Sequence, residues 1–244
     1  MNHVALSVII PAFNEEHFLS ATLQAIRRSA ATMEPERGAT VELIVVDNNS
    51  TDATASVARS FGASVVFESA RNIARARNQG ALAANGQVLV FIDADTLIPE
   101  GLLPRIYEIA STSECVGGAI DTEYRVQKTV VRGYLNAWRI AGRLAHIAQG
   151  ATQFCTRDTF AALGGYDERL FMGEDVNFYS RLRQYARRRK SHACFIHDLP
   201  VVPSTRRFDQ WPLWRTLLLT NPFVIAGFRR VQCVWQGWYR EPPR

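Results

Sequence analysis

Three short β-branched runs, each followed by polar residues, constrain most strongly what this chain can fold into. They span residues 4–11 (VALSVIIP), 41–46 (VELIVV) and 87–92 (QVLVFI). Runs of this length and composition are typical of strands buried on both faces. Stretches with helical character follow them, at 15–31, 52–61 and 73–84, and each carries capping residues before it or a Gly or Asn after it. The alternation predicts βαβ units and an α/β fold with a mostly parallel sheet flanked by helices.

The second half of the chain carries weaker signals of the same kind. Strands are predicted at 65–68, 114–118 and 193–202, and helices at 129–148 and 174–188. The 244 residues suit one large domain, or one domain with an extension. We therefore expect a Rossmann-like sheet followed by a C-terminal helical extension.

The four cysteines and the N-terminal residues indicate the cellular compartment in which the protein is expected. Cys115, Cys155, Cys194 and Cys233 lie about forty residues apart without a CxxC pair, which predicts isolated, mostly buried thiols in a reducing compartment. The first residues carry no basic segment of the kind that opens a signal peptide. The expected location is cytoplasmic, with peripheral association on the inner membrane face as a further expectation.

Charge is distributed unevenly along the chain. Residues 1–180 carry 15 Lys/Arg against 20 Asp/Glu, whereas residues 181–244 carry 13 against 3. This asymmetry favours an anionic partner for the last quarter, either phosphate groups or a membrane surface, over a merely solvated basic face. Nucleic acid is the least favoured partner because no recognised binding motif accompanies the charge. In residues 211–239 aromatic side chains alternate with arginines, which predicts either a membrane interface or a helical pair packed on the domain.

Acidic and polar residues follow each predicted strand, at the edge where open α/β sheets bind ligands. Asp93 and Asp95 flank one small residue directly after the third run. Two carboxylates at a strand end repel unless a cation or water separates them, and oxygen ligands suit Mg²⁺ or Mn²⁺. The alternative is a solvated turn or a helix cap. Neither GxGxxG nor GxxxxGK[ST] follows a predicted strand, which argues against a dinucleotide oxidoreductase and a P-loop NTPase.

Five motifs in order resemble the family 2 glycosyltransferases of GT-A fold, over roughly residues 4–190. They are SVIIPAFNEE at 7–16, VVDNNSTD at 45–52, ARNQG at 76–80, FIDAD at 91–95, and GGYDE at 164–168 with GED at 173–175. The resemblance implies a nucleotide-sugar donor, linked to UDP, GDP or dTDP, and a divalent metal ion, Mn²⁺ or Mg²⁺. It also implies an inverting transfer of hexosyltransferase type.

The resemblance assigns the donor side residue by residue. Phe13 matches the position on which the nucleobase stacks, and Pro11, Glu15 and Asp47 match residues lining the same pocket. Asn48 stands where the family more often has a second aspartate that contacts uracil, which leaves the base open.

The same resemblance places two residues near the phosphates. Arg77 matches a basic residue that could hold phosphate or ribose oxygens, the alternative being an exposed helix arginine. Asp95 matches the main metal ligand, and Asp93 lies nearer the ribose and the metal-bound water.

On the acceptor side, Glu174 and Asp175 match the family's acidic pair at the start of a helix, with Asp175 as general base. A capping carboxylate pair is the alternative. Arg206 and Arg207 are the candidates for binding the diphosphate. His197 precedes the position at which some members of the fold carry a further metal ligand, so we expect no catalytic role for it.

The expected organisation is a catalytic domain at 1–205, with a nucleotide-binding half at about 1–120 and an acceptor half at 121–205, and a basic, aromatic extension at 206–244. The chain lacks the Q-x-x-R-W motif of processive relatives, so we expect single addition to a lipid-linked or small-molecule acceptor sugar. A nucleotidyltransferase is the alternative enzyme, although it should show a Gly-rich basic loop after the first strand. A catalytically inactive module that binds nucleotide sugars or lipid headgroups is the alternative outside enzymes.

Overall fold

One eight-stranded sheet organises the chain. The structure is a computed structural model, and it describes residues 3–33, 39–111, 114–145, 147–148 and 150–239. The strand order across the sheet is β3-β2-β1-β4-β7-β6-β8-β5. The strands are β1 (His3–Ala12), β2 (Ala39–Asp47), β3 (Ser64–Phe67), β4 (Val88–Ile92), β5 (Thr96–Leu97), β6 (Cys115–Thr122), β7 (Thr152–Thr156) and β8 (His192–Pro203).

The sheet is mixed, which corrects the prediction of a mostly parallel one. Four neighbouring pairs are parallel: β1 with β2, β1 with β4, β2 with β3 and β6 with β8. Three are antiparallel, because β7 runs against both β4 and β6, and β5 runs against β8. The sequence analysis missed β7 because its five residues, TQFCT, contain no apolar run.

Helices cover both faces of this sheet. They are α1 (Leu19–Ala31), α2 (Thr54–Ser60), α3 (Ile73–Ala83), α4 (Leu102–Ala110), α5 (Thr129–Ala145), α6 (Arg157–Leu163), α7 (Glu174–Arg188), α8 (Arg206–Gln210), α9 (Leu213–Leu219), α10 (Pro222–Phe228) and α11 (Gln232–Tyr239). Helix α1 begins four residues later than predicted, because Asn14 adopts a left-handed φ of 53° and a turn closed by Phe18 N–H to Glu15 O precedes the helix.

Alternate residues of β1 supply two hydrophobic cores. Leu6, Val8 and Ile10 are fully buried against α1 and α4 on one face. Ile9 faces α3 and α7 on the other. Helix α3 approaches the sheet so closely that a Cβ on Gly80 would lie 2.3 Å from Ile9 Cγ2. This close packing fixes the α3 side chains over the ends of β1 and β4.

The C-terminal helices contact one another and the rest of the domain. Trp235 is fully buried and donates its indole N–H to Phe228 O at 2.8 Å. Lys128 Nζ donates to Trp211 O at 2.7 Å. Residues 240–244 of the expected extension lie outside the described part, and the boundary at residue 206 remains a prediction. Among the described helices, none is both long and apolar enough to cross a bilayer.

Two of the cysteines are not isolated, contrary to expectation. Cys115 and Cys194 stand on the neighbouring strands β6 and β8 with their Sγ atoms 2.9 Å apart. The hydrogen bond between the thiols lowers the pKa of Cys115 to about 7. Cys155 is buried, as expected, and Cys233 is exposed.

Candidate active site

The polar residues predicted at the strand ends meet at one edge of the sheet. Strands β1, β2 and β4 are parallel, with Ala12 beside Asp47 and Ile9 beside Phe91 in register. Their carboxyl ends therefore point to the same side and carry Glu15, Asp47 and Asp93 within a few residues. This confirms that polar and acidic residues cluster at a single edge.

Arg77 joins the end of β4 to the start of α7. Its Nη2 donates to Asp93 Oδ1 at 2.7 Å, and its Nη1 donates to Glu174 Oε1 at 2.6 Å. The guanidinium is 3% exposed and lies 5.2 Å from the centroid of the Tyr166 ring. Burial alone would lower the pKa of Arg77, but Asp93 and Glu174 raise it well above its ordinary value. Arg77 is therefore a buried cation between two carboxylates, not an exposed helix arginine, and direct nucleotide contact stays a prediction.

Asp175 lies next to this bridge in the first turn of α7. Its Oδ2 accepts from Gly150 N–H and its Oδ1 from Val176 N–H, both at 2.7 Å. The neighbouring Ala151 carbonyl accepts from Asp93 N–H at 3.1 Å. Gly150 thus binds the Asp175 carboxyl group, and Ala151 binds the backbone of Asp93. The end of β4 and the start of α7 consequently face one another across a single site.

Two effects raise the pKa of Asp175 to about 7: burial is the larger, and the charge of Glu174 is the second. The hydrogen bonds from Gly150 and Val176 and the charge of Arg77 oppose the shift without cancelling it. A carboxyl group with this pKa can accept a proton near neutral pH and is basic enough to do so effectively. The sequence could not decide between the helix N-terminus and burial, and the structure shows that burial dominates.

Asp95 follows Asp93 by two residues and lies beside α8. Arg206 Nη2 is 3.3 Å from Asp95 Oδ2 and also donates to Glu15 Oε1. The Arg206 guanidinium stacks 4.1 Å from the centroid of the Phe18 ring. Burial and the charge of Glu15 raise the pKa of Asp95 to about 6, while Arg206 and Arg207 lower it. The two arginines proposed for the diphosphate therefore lie beside the aspartate proposed for the metal ion.

Asp93 completes the acidic pair. Burial raises its pKa to about 6, with Arg77 opposing the shift and Asp95 adding to it. Among the described residues, no group of three or more His, Cys, Asp or Glu side chains could hold a metal ion. His197 is exposed on β8, and the expectation that it has no catalytic role stays a prediction. An ion at this edge would therefore take one or two carboxylates from the protein and the rest of its ligands from substrate and water.

The expected base-binding side is built around Phe13 and Asp47. Phe13 is half-buried, and the Arg71 guanidinium lies 4.3 Å from the centroid of its ring. Asp47 Oδ1 accepts from Ser50 N–H at 3.0 Å. The Asn48 side chain is occupied with the chain at 68–72, because it donates to two carbonyls there and accepts from Asn72 N–H at 3.0 Å. Asn48 therefore holds the segment that carries Arg71, and its own contact with a base stays a prediction.

Several site residues escaped the sequence analysis. Asp121, one residue before the end of β6, is 2% exposed and forms ion pairs with Arg139 and Arg143 of α5. These ion pairs lower its pKa, although burial would raise it. Gln153 of β7 donates to Asp175 O at 2.9 Å and accepts from the Tyr166 hydroxyl at 2.9 Å. Asp121 was detectable only as an acid following the weak strand signal at 114–118. Gln153 lay in a strand that was not predicted.

The chain is similar in sequence to known glycosyltransferases. The sequence model described as Glycosyl transferase family 2 matches residues 7–171. An uncharacterized glycosyltransferase of Mycobacterium tuberculosis is 40% identical over 102 residues, which is 42% of each chain. The glycosyltransferase AglE of Haloferax volcanii is 26% identical over 217 residues, covering 84% of this chain and 68% of its own. The chain thus spans less than half the length of the mycobacterial relative that it matches.

Solved structures resemble the fold. The mannosyltransferase PcManGT of Pyrobaculum calidifontis, solved with GDP-Man and Mn²⁺, superposes with a TM-score of 0.65 at 21% identity, covering 96% of this chain and 63% of its own. The glucosyl-3-phosphoglycerate synthase of Mycobacterium tuberculosis, solved with Mn²⁺, UDP and glucosyl-3-phosphoglycerate, gives 0.59 at 20% identity, covering 94% and 80%. At these identities the likeness concerns the α/β fold with its mixed sheet flanked by helices.

Proposed function

The chain belongs to glycosyltransferase family 2, and on that premise we propose that it moves a sugar from a nucleotide-sugar donor to an acceptor hydroxyl, with inversion and in a single addition. The observation that carries the proposal is the Arg77 bridge. One Arg77 guanidinium binds Asp93 at the end of β4 through Nη2 and Glu174 at the start of α7 through Nη1. The acids proposed for the leaving group and for the acceptor therefore share one site.

The proposed donor-binding residues follow the carboxyl ends of β1 and β2. Phe13 supplies a ring face for the nucleobase, while Pro11, Glu15, Asp47 and Asn48 line or support the same side. The mannosyltransferase was solved with GDP-Man and the synthase with UDP, so both bases occur among proteins of similar fold. UDP-, GDP- and dTDP-sugars are the donors to test.

The acidic pair fits a divalent cation. Asp93 and Asp95 are neighbouring carboxyl groups whose pKa values burial raises to about 6, so a nearby cation would favour their ionised forms. Oxygen ligands of this kind suit Mg²⁺ or Mn²⁺. Asp95, assisted by Asp93, would hold the ion, which would supply positive charge to the departing diphosphate.

Protein side chains perform the remaining tasks. Arg206 and Arg207 lie beside Asp95 and would bind oxygens of the leaving diphosphate, which stabilises charge that develops in the transition state. Asp175 would take the proton of the acceptor hydroxyl while the acceptor oxygen bonds to the sugar carbon. The bond between that carbon and the diphosphate breaks in the same step. Glu174 keeps Arg77 in place and raises the pKa of Asp175.

The reaction is tested by the product that is released. Incubated with Mn²⁺ and a panel of nucleotide sugars, the protein should release nucleoside diphosphate from one donor class as the sugar passes to an added acceptor or to water, and EDTA should abolish the release. Asp95→Asn should lower the rate by about 10²-fold or more, since it removes the proposed metal ligand. Asp198→Asn, an exposed acid on β8, is the matched control and should retain the wild-type rate.

The alternatives are distinguished by this assay together with one that supplies a nucleoside triphosphate and a sugar phosphate. A nucleotidyltransferase releases pyrophosphate from a nucleoside triphosphate and a sugar phosphate, and it releases no diphosphate from a nucleotide sugar. An inactive binding module shows a donor-dependent rise in melting temperature but no product. Either result would replace the proposed reaction.

A further inference from the structure

A stripe of exposed apolar residues runs along α5. Val130, Ile140 and Leu144 are 65%, 58% and 80% exposed. At 100° per residue they fall within about 100° of arc together with three exposed small residues. Those residues are Gly133, Ala137 and Ala141. Helix α5 buries Val131 and Leu135 on another face, so the stripe is a second apolar face and is not needed for the core.

The neighbouring tail helices carry further exposed apolar side chains. Trp214 of α9 is 67% exposed and Phe223 of α10 is 80% exposed. Helix α9 lies against α5, where the Tyr134 hydroxyl donates to Leu217 O at 3.4 Å. Eight of the thirteen large hydrophobic side chains that are exposed in the described part lie on α5, α9 and α10, and two more, Ile147 and Val231, lie just outside these helices. We call the exposed faces of α5, α9 and α10 the α5–α10 surface.

The segments that contain these helices carry positively charged side chains and no acidic ones. Residues 126–148 and 211–239 contain seven Lys or Arg and no Asp or Glu. The rest of the chain holds 21 Lys or Arg against 23 Asp or Glu, so these two segments carry the basic surplus of the protein. The basic residues are Lys128, Arg132, Arg139, Arg143, Arg215, Arg229 and Arg230. A partner for this surface must accept apolar side chains and supply negative charge.

We propose that the α5–α10 surface docks on an anionic lipid bilayer, with α5 lying in the interface. Apolar side chains enter the boundary between headgroups and acyl chains, and nearby lysines and arginines bind lipid phosphates. A second copy of the chain fits less well, because each of the two surfaces would bring five Lys or Arg besides the Arg139 and Arg143 that pair with Asp121. The inference does not depend on the donor or on turnover.

A bilayer docked on the α5–α10 surface would contact a helix that is joined to the sheet by ion pairs. The helix that carries the stripe also carries Arg139 and Arg143, whose ion pairs with Asp121 tie it to the end of β6. Burial raises the pKa of the half-buried Tyr124, and the charges of Asp175, Asp93 and Asp121 add to the shift. The helix in the lipid interface would thus be the one that is tied to the end of β6.

Vesicle co-sedimentation of the full chain tests the proposal. The probes are vesicles of phosphatidylcholine alone and of phosphatidylcholine with 30% phosphatidylglycerol. We expect binding to the anionic vesicles that is about tenfold tighter than to the neutral ones and that weakens as salt is raised. The double variant I140S/L144S should bind anionic vesicles about tenfold more weakly. W214S/F223S should show a loss of similar size.

Leu82→Ser is the matched control, because Leu82 is 77% exposed on α3, which is not part of this surface. It should bind like the wild type. Thermal melts of all variants should coincide, since every substituted side chain is exposed. The proposal is overturned if the wild type does not bind anionic vesicles, if I140S/L144S binds as tightly as L82S, or if the α5 variant loses only a lipid-independent dimer in light scattering.

Discussion

Replacing Asp175 with asparagine should lower the rate of sugar transfer by about 10³-fold while leaving the donor dissociation constant within about twofold of the wild type. Asparagine keeps the shape of the side chain but cannot accept the acceptor proton. The donor lies at the other end of the site in this proposal, so its binding does not use Asp175. Steady-state rates and calorimetric titration with the nucleoside diphosphate measure the two quantities separately.

The pH dependence provides an internal check on the same residue. Because the pKa of Asp175 is about 7, the wild-type rate should be low below pH 6, rise through pH 7 and level off above pH 8. The direction follows from the base being active when it is deprotonated. Residual activity of D175N should lose this rise, whereas D198N should keep it. A D175N enzyme with the wild-type rate and profile would remove Asp175 from the mechanism.

The variant Arg77→Gln should be destabilised by about 3–5 kcal/mol, or roughly 10 °C in melting temperature. Removing the cation leaves Asp93 and Glu174 facing one another without their shared partner, and Glu174 is 8% exposed. Leaving buried charge uncompensated costs far more than losing an exposed ion pair. Urea unfolding followed by circular dichroism measures the change.

Arg75→Gln is the control for this experiment. Arg75 stands on the same helix, two residues away, with a side chain 42% exposed and 3.5 Å from Glu68 and 3.7 Å from Glu168. Its loss should cost less than about 1 kcal/mol. The triple variant R77Q/D93N/E174Q should regain part of the stability lost in R77Q. Equal stability of R77Q and R75Q would show that the buried bridge does not hold the two elements together.

The first half of the fold was readable from the sequence because its signals are local. Strands β1, β2 and β4 are continuous apolar runs, and the structure places them within three residues of the predicted bounds. Helix α7 occupies its predicted range. Strand β7 was not readable, because its burial comes from β4 and β6 on either side and not from its own composition. Without β7, the mixed character of the sheet could not be foreseen.

The sequence motifs identified the acidic residues of the candidate site but not the contacts between them. The motifs named Asp93, Asp95, Glu174 and Asp175, but nothing in the spacing of residues 77, 93 and 174 shows that one guanidinium binds two of these carboxylates. Long-range contacts of this kind arise from the packing of α3 and α7 on the sheet. The ion pair between Arg206 and Glu15 joins residues 191 positions apart and has the same origin.

The most direct test is diffraction at the manganese absorption edge, from crystals of the full chain grown with Mn²⁺ and the nucleoside diphosphate that binds. We expect an anomalous peak at coordination distance from an Asp95 carboxylate oxygen, with the diphosphate between that peak and Asp175 and the base against Phe13. A bound nucleotide at another surface, or a manganese ion away from Asp95, would contradict the proposed site.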